Sequence, residues 1–262
     1  MRVLFLLGVF LIGLMPSFEA AADEGADILH AVHVRDRGKD FIWDITIDLT
    51  DRSGDVRHRT GKIFRREFSK KQSEQVTVFL SPANMRHTAL LEIEVEDGDD
   101  FMWLYLPALK TTKRIPPIER GDKFVETDFS MEDINLGFQA EDYIGTVLEH
   151  KTEEGHPVAV TRVEPRTADL KRNLGYDYGI FKIRTDQAYI VDQRLFKGDR
   201  EIRHNEAHDV HAVAGILTPK ELVSHDLVND HKTVLGIVSA TYNGGVPESY
   251  FKEEALAREM YH

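Results

Sequence analysis

Apolar and polar positions alternate along most of this chain, and the alternation predicts strands. The clearest case is Phe41 to Leu49, where Phe41, Trp43, Ile45, Ile47 and Leu49 are large and apolar and Asp44, Thr46 and Asp48 lie between them. A period of two gives one buried and one wet face. The turn cluster Arg52-Ser53-Gly54-Asp55 predicts a hairpin into a second strand, Val56 to Phe68, whose Arg and Lys residues are expected on a solvated outer face. Val76, Val78 and Leu80 then alternate with Thr77 and Phe79, up to the break at Ser81-Pro82. Leu91, Ile93 and Val95 alternate with Glu92, Glu94 and Glu96, which places the acids outward. After an acidic turn, Glu96 to Asp100, the run Phe101 to Leu106 is apolar throughout, as in a strand covered on both faces. Pro107 stops it, because proline cannot donate to a strand ladder.

The second half repeats the theme. Val158–Val163, Gly179–Arg184, Ala188–Phe196, Glu201–Ala212 and Thr233–Tyr242 read as strands, with a hairpin turn at Lys197-Gly198-Asp199-Arg200. Helical signals are weak: an amphipathic stretch within residues 23 to 38, and a closing helix from Ser249 to Met260. About ten hairpin-linked strands with no alternation of strand and helix exclude a doubly wound parallel sheet. The expected fold is mainly β: a single strongly curved antiparallel sheet forming an incomplete barrel, with a few short helices plugging the mouth. Neither repeat nor linker interrupts it, so one domain over 23–262 is expected.

The first residues change the picture. Arg2, the apolar run Val3–Met15, then Pro16-Ser17 and Ala20-Ala21-Ala22 have the layout of a secretory signal peptide over 1–22, cut between Ala22 and Asp23. The run is too short to span a bilayer, which takes about 20 residues. The expected product is exported and periplasmic. The chain of 262 residues has no cysteine, so neither a disulfide nor an N-terminal lipid on cysteine is available. A net charge of -12 argues against nucleic acid as a partner.

Candidate chemistry is sparse. Without cysteine there is no thiol catalysis, and neither a Gly-x-Ser-x-Gly elbow nor a Gly-rich phosphate loop occurs, so no enzyme, no catalytic residue and no cofactor is expected. The twelve histidines are densest at His204, His208 and His211. Asn205 stands where the helical zinc motif needs Glu, so solvated histidines on a hairpin are favoured over a metal-dependent hydrolase. What remains is an excess of large apolar residues on curved strands. They either pack a core or line a hollow for an apolar ligand. The alternation nominates Trp43, Ile45, Ile47, Leu91, Ile93, Val95, Trp103 and Tyr105 as lining.

One stretch carries more. Trp103-Leu104-Tyr105-Leu106-Pro107-Ala108-Leu109, then Arg114-Ile115, Gly121-Asp122 with Phe124, and Thr127-Asp128-Phe129-Ser130-Met131-Glu132-Asp133 resembles the signature of the outer-membrane lipoprotein-sorting protein family, with its LolA-like domain. Met131 departs from the aromatic residue common there. The resemblance spans most of residues 70 to 256. It implies a half-barrel plugged by helices, which holds a lipid or lipoprotein acyl chain across the periplasm. The alternative is an accessory periplasmic subunit of an inner-membrane transporter of the resistance-nodulation-division (RND) type, which recognises protein rather than lipid. The motif residues are Pro107, Arg114, Gly121, Phe124, Asp128, Phe129, Ser130 and Asp133. Ser130 with Asp133 is laid out like a capping box, so this segment reads either as a lid or as a fixed turn.

Overall fold

The computed structural model describes residues 18–258 and Tyr261, except Asp97, Asp99 and Asn135. The expected leader core Val3–Met15 lies outside the described residues, as do Asp97 and Asp99 of the acidic turn and Met260 of the expected closing helix. Helix α1 (Phe18–Val34) leads into a meander of six strands: β1 (Asp40–Thr50), β2 (Val56–Ser69), β3 (Gln72–Ser81), β4 (Ala89–Glu94), β5 (Phe101–Leu106) and β6 (Thr111–Ile115). The motif segment follows and contains the short helix α2 (Met131–Ile134). A second run comprises β7 (Tyr143–Glu153), β8 (His156–Pro165), helix α3 (Ala168–Leu174), β9 (Tyr178–Arg184), β10 (Tyr189–Lys197) and β11 (Arg200–His208). A small hairpin, β12 (His211–Val213) with β13 (Ile216–Thr218), precedes β14 (Glu221–Asp226) and β15 (His231–Tyr242). A 3-10 turn, Glu248–Phe251, and helix α4 (Glu253–Leu256) close the described chain.

Apart from the β12–β13 hairpin, the strands make one antiparallel sheet of thirteen, ordered β6-β5-β4-β3-β2-β1-β15-β14-β11-β10-β9-β8-β7. The first and last strands meet in the middle, with Phe41 opposite Tyr242. The edges β6 and β7 do not pair with each other, so the sheet curls without closing: an incomplete barrel. Local chemistry sets the turns. Thr167 accepts a hydrogen bond from Leu170 N and starts α3, and Gly175, at φ 78°, ends it where a side chain would be strained.

The register defines two faces. Trp43, Ile63, Thr77, Leu90 and Leu104 lie opposite one another across β1 to β5. Leu49, Thr233, Ser224, Asn205, Gln193 and Phe181 continue the same face from β1 across the second half. This is the inner face. On its first half Phe41, Trp43, Ile45, Ile47, Ile63, Phe79 and Leu90 pack against Phe124, Phe129, Met131 and Ile134 of the motif segment. On the second half Leu29 and Val32 of α1 pack with Val163, Phe181 and Leu195. Gly25 and Gly145 let α1 approach β7 closely: a Cβ on Gly25 would sit 2.4 Å from the Gly145 carbonyl oxygen. On the outer face Phe64, Val76, Val78 and Leu91 are covered by Val246, Phe251, Leu256 and Tyr261.

The structure corrects several sequence expectations. Fifteen strands are present among the described residues, not about ten; β7 and β14 lack clean alternation, and Glu201–Ala212 is split by the turn after β11. Glu92 and Glu94 do not face water: they are 2% and 4% exposed. They lie on the inner face, where Gln75 Nε2 donates to Glu92 at 2.9 Å and Arg65 pairs with Glu94 at 3.0 Å. Burial raises the Glu92 pKa well above the ordinary carboxylate range. Nor is β2 solvated throughout: Arg59 and Arg65 are buried, and Arg59 pairs with Glu126 at 2.7 Å. Both faces of β4 are covered, so its alternation of acids and apolar residues does not mark an outward face.

Candidate functional site

A hollow of about 230 Å³ remains between the inner face and its plug. Phe41 and Trp43 from β1, Phe181, Tyr189 and Leu195 from β9 and β10, and Phe129, Leu136 and Phe138 from the motif side supply apolar wall. Polar groups enter from Arg35, Glu132, Asp133, Gln193, Arg203 and Asn205. Phe41 and Trp43 stack at 4.7 Å between ring centroids, and Trp43 Nε1 donates to the Tyr242 hydroxyl at 3.1 Å. The hollow is slightly smaller than the roughly 300–1,000 Å³ of common small-molecule sites. Its wall mixes aromatic and aliphatic residues with charged ones, which include Arg37, Asp142, Asp192 and Glu206 as well as those just named.

The motif segment builds one wall and is tightly fixed. Asp128 is fully buried and serves as a staple. Its Oδ1 accepts from Lys123 Nζ at 2.8 Å; its Oδ2 accepts from Thr233 Oγ1 at 2.7 Å and lies 2.5 Å from His231 Nδ1. Its backbone N–H donates to Thr233 Oγ1, and its carbonyl accepts from Ser224 Oγ. Two residues on, the capping box forms: Asp133 N donates to Ser130 Oγ at 3.1 Å, and Ser130 N donates to Asp133 Oδ2 at 2.7 Å. Asp133 also meets Arg203 of β11 at 3.1 Å. Phe124 stacks on Phe79 at 5.4 Å. Gly121 donates to the Asn173 carbonyl, and a Cβ there would lie 2.4 Å from that oxygen. Arg114 lies over the Phe101 ring at 4.9 Å, and Pro107 follows the end of β5. The described geometry is that of a plug held by side-chain bonds. Glu132 also lines the hollow, and burial pushes its carboxyl up to about 7 against the pull of Arg120.

The eight nominated lining residues part company. Trp43 lines the hollow, and Ile45 and Ile47 lie on the same inner face beneath the plug. Leu91, Ile93, Trp103 and Tyr105 lie on the outer face under the C-terminal segment, away from the hollow. Val95 lies just beyond the end of β4. From the motif, Phe129, Ser130 and Asp133 reach the hollow. Sequence reasoning missed Arg35, Tyr189 and Phe181, which no local pattern joins. His204, His208 and His211 are not brought together. The group among the described residues with ligand atoms close enough for a metal is Asp192, His204 and Glu206, within 4.8 Å of one another. There His204 Nε2 is 2.9 Å from Asp192 Oδ2, an interaction that raises the His204 pKa. His208 lies 3.9 Å from Glu206, and His211 Nδ1 meets the Asp209 carbonyl.

A family model described as "Uncharacterized protein" matches residues 71–258. No curated protein matches the chain. Among solved structures, an outer membrane lipoprotein-sorting protein domain from Vibrio parahaemolyticus superposes with a TM-score of 0.82 at 22% identity, covering 90% of this chain and 100% of that one. A DUF1329 family protein from Desulfovibrio piger superposes with a TM-score of 0.83 at 22% identity, covering 90% and 99%. A LolA superfamily protein from Nitrosomonas europaea gives 0.67 at 13% identity, covering 88% and 98%. The fold is LolA-like.

Proposed function

The chain belongs to the family whose model spans residues 71–258, and we propose that it is a carrier, which shelters a lipid or lipoprotein acyl chain in the hollow of its half-barrel. The observation that carries the reading is the hollow itself: aromatic and aliphatic walls left unfilled in a sheet whose other inner surface is densely plugged. Each methylene moved there from water is worth about 0.8 kcal/mol, which suits a non-catalytic binder of acyl chains. The likeness to a lipoprotein-sorting domain supports the same class of cargo.

Export to the periplasm through a leader cut between Ala22 and Asp23 belongs to the proposal. Such a cut would shorten α1 and leave Gly25, Leu29 and Val32, which dock it onto the sheet, in the mature chain. An inner-membrane RND-type transporter is the partner to test by co-purification. The decisive experiment is solvent extraction and mass spectrometry of the mature protein purified from the periplasm, followed by titration with a fluorescent fatty acyl probe. Copurifying lipid and saturable uptake of the probe are expected. An empty protein that takes up no probe refutes the reading.

A further inference from the structure

Arg35, partly buried at the wall of the hollow, is the odd member among the inward-facing arginines. Arg37 pairs with Glu67 at 2.9 Å, Arg59 with Glu126 at 2.7 Å, Arg65 with Glu94 at 3.0 Å and Arg203 with Asp133 at 3.1 Å. Arg35 has no ion pair and donates no side-chain hydrogen bond to any described residue. Its Nε is buried without a partner. The guanidinium lies 4.6 Å from the centroid of the Tyr189 ring, and both residues line the hollow. The carboxylate best placed to neutralise it, Glu67, is already taken: Oε2 by Arg37 and Oε1 by Lys70 at 2.6 Å. Five further carboxylates line the hollow: Asp133 is engaged by Arg203 and Ser130 and Asp192 by His204, while Glu132 and Glu206 lie 3.9 Å from Arg120 and His208; none of these, nor Asp142, forms an ion pair with Arg35.

A guanidinium partly withdrawn from water is costly unless something answers its charge. The Tyr189 face answers part of it by a cation–π contact, and the end of α1, just before Arg35, favours a cation. Neither uses the in-plane N–H donors, which match the oxygens of a carboxylate or phosphate. Phe41, Trp43 and Tyr242 line the same hollow and offer apolar surface to a chain attached to such a head.

We propose that the hollow takes an anionic amphiphile, with its carboxylate or phosphate on Arg35 above Tyr189 and its hydrocarbon chain along the aromatic wall. This rests on the carrier reading and sharpens it from acyl chains in general to chains with an acidic head.

The test is displacement of a fluorescent acyl probe from the mature protein by palmitate, hexadecyl phosphate and hexadecanol, which share one chain and differ in the head. Wild type should bind the two anions more tightly than the alcohol, and whichever anion is preferred identifies the head. Arg35→Gln should weaken the anions about tenfold or more, as loss of a charge-assisted hydrogen bond does, and leave the alcohol unchanged. Arg35→Lys, which keeps the charge, should recover part of the loss. Equal affinity of wild type for all three ligands overturns the inference and leaves the carrier reading standing. This comparison needs no variant to fold. Failure of wild type to bind any of them overturns both.

Discussion

Replacing Asp128 by Ala tests whether the motif segment is a plug. The carboxylate is fully buried and joins three side chains: Lys123 at 2.8 Å, Thr233 at 2.7 Å and His231 at 2.5 Å. Lys123 is 42% exposed and retains Asp226 at 2.7 Å, so its loss is slight. Thr233 is fully buried and His231 largely so, and both lose their acceptor. Removing one partner of a buried charged network destabilises by about 3–5 kcal/mol. At about 2–4 °C per kcal/mol for a domain of this size, the melting temperature should fall by roughly 6–20 °C. Calorimetry or circular dichroism on the apo protein reads this directly. The double variant with Thr233→Val should fall short of the sum of the single effects, by about 0.5–3 kcal/mol of coupling. Additive effects, or a melting temperature within about 2 °C of wild type, would show that Asp128 does not staple the segment, and the plug would have to be abandoned.

Other consequences are open to simpler measurements. Glu132, raised from 4.5 to about 7, holds its proton more tightly folded than unfolded. Its contribution to stability is full below pH 4.5 and is lost as pH rises through 7. Between pH 5 and 8 wild type should therefore lose stability relative to Glu132→Gln, by less than about 3 kcal/mol because a third of the side chain is solvated; parallel profiles would contradict this. The protein's two tryptophans separate the faces, since Trp43 lines the hollow and Trp103 lies beneath the C-terminal segment. A ligand-induced change in fluorescence should survive Trp103→Phe and vanish in Trp43→Phe. Gly25→Ala should push α1 off β7 and destabilise by about 1–3 kcal/mol, measured by urea unfolding.

Much of the fold was legible because one strand was simple. The alternation in β1 is reproduced residue by residue in its burial. The Ser130–Asp133 cap was legible too, since a capping box is local. What could not be read was parity across the sheet. Leu91 and Trp103 look like partners of Trp43, yet the pairing places Leu90 and Leu104 on its face. Alternation says that two faces differ, not which is inside, and when an outer face is itself covered the usual polarity cue fails. Glu92 and Glu94 misled for that reason: their partners Gln75 and Arg65 come from other strands. The hollow was illegible because Arg35, Trp43 and Tyr189 meet only through the completed sheet.

That sheet has an unusual seam. On one side β1 to β6 follow each other in chain order, and on the other β7 to β11 do the same in reverse, so most pairings are local hairpins. The β1–β15 contact instead joins Phe41 to Tyr242 across nearly the whole chain. Loop-closure entropy is therefore concentrated in one zipper rather than spread over the molecule. The hollow takes Trp43 from one meander and Phe181 from the other, so its wall is complete only with the seam paired. A ligand lying against both walls, as the proposed cargo would, is therefore expected to stabilise the pairing of β1 with β15.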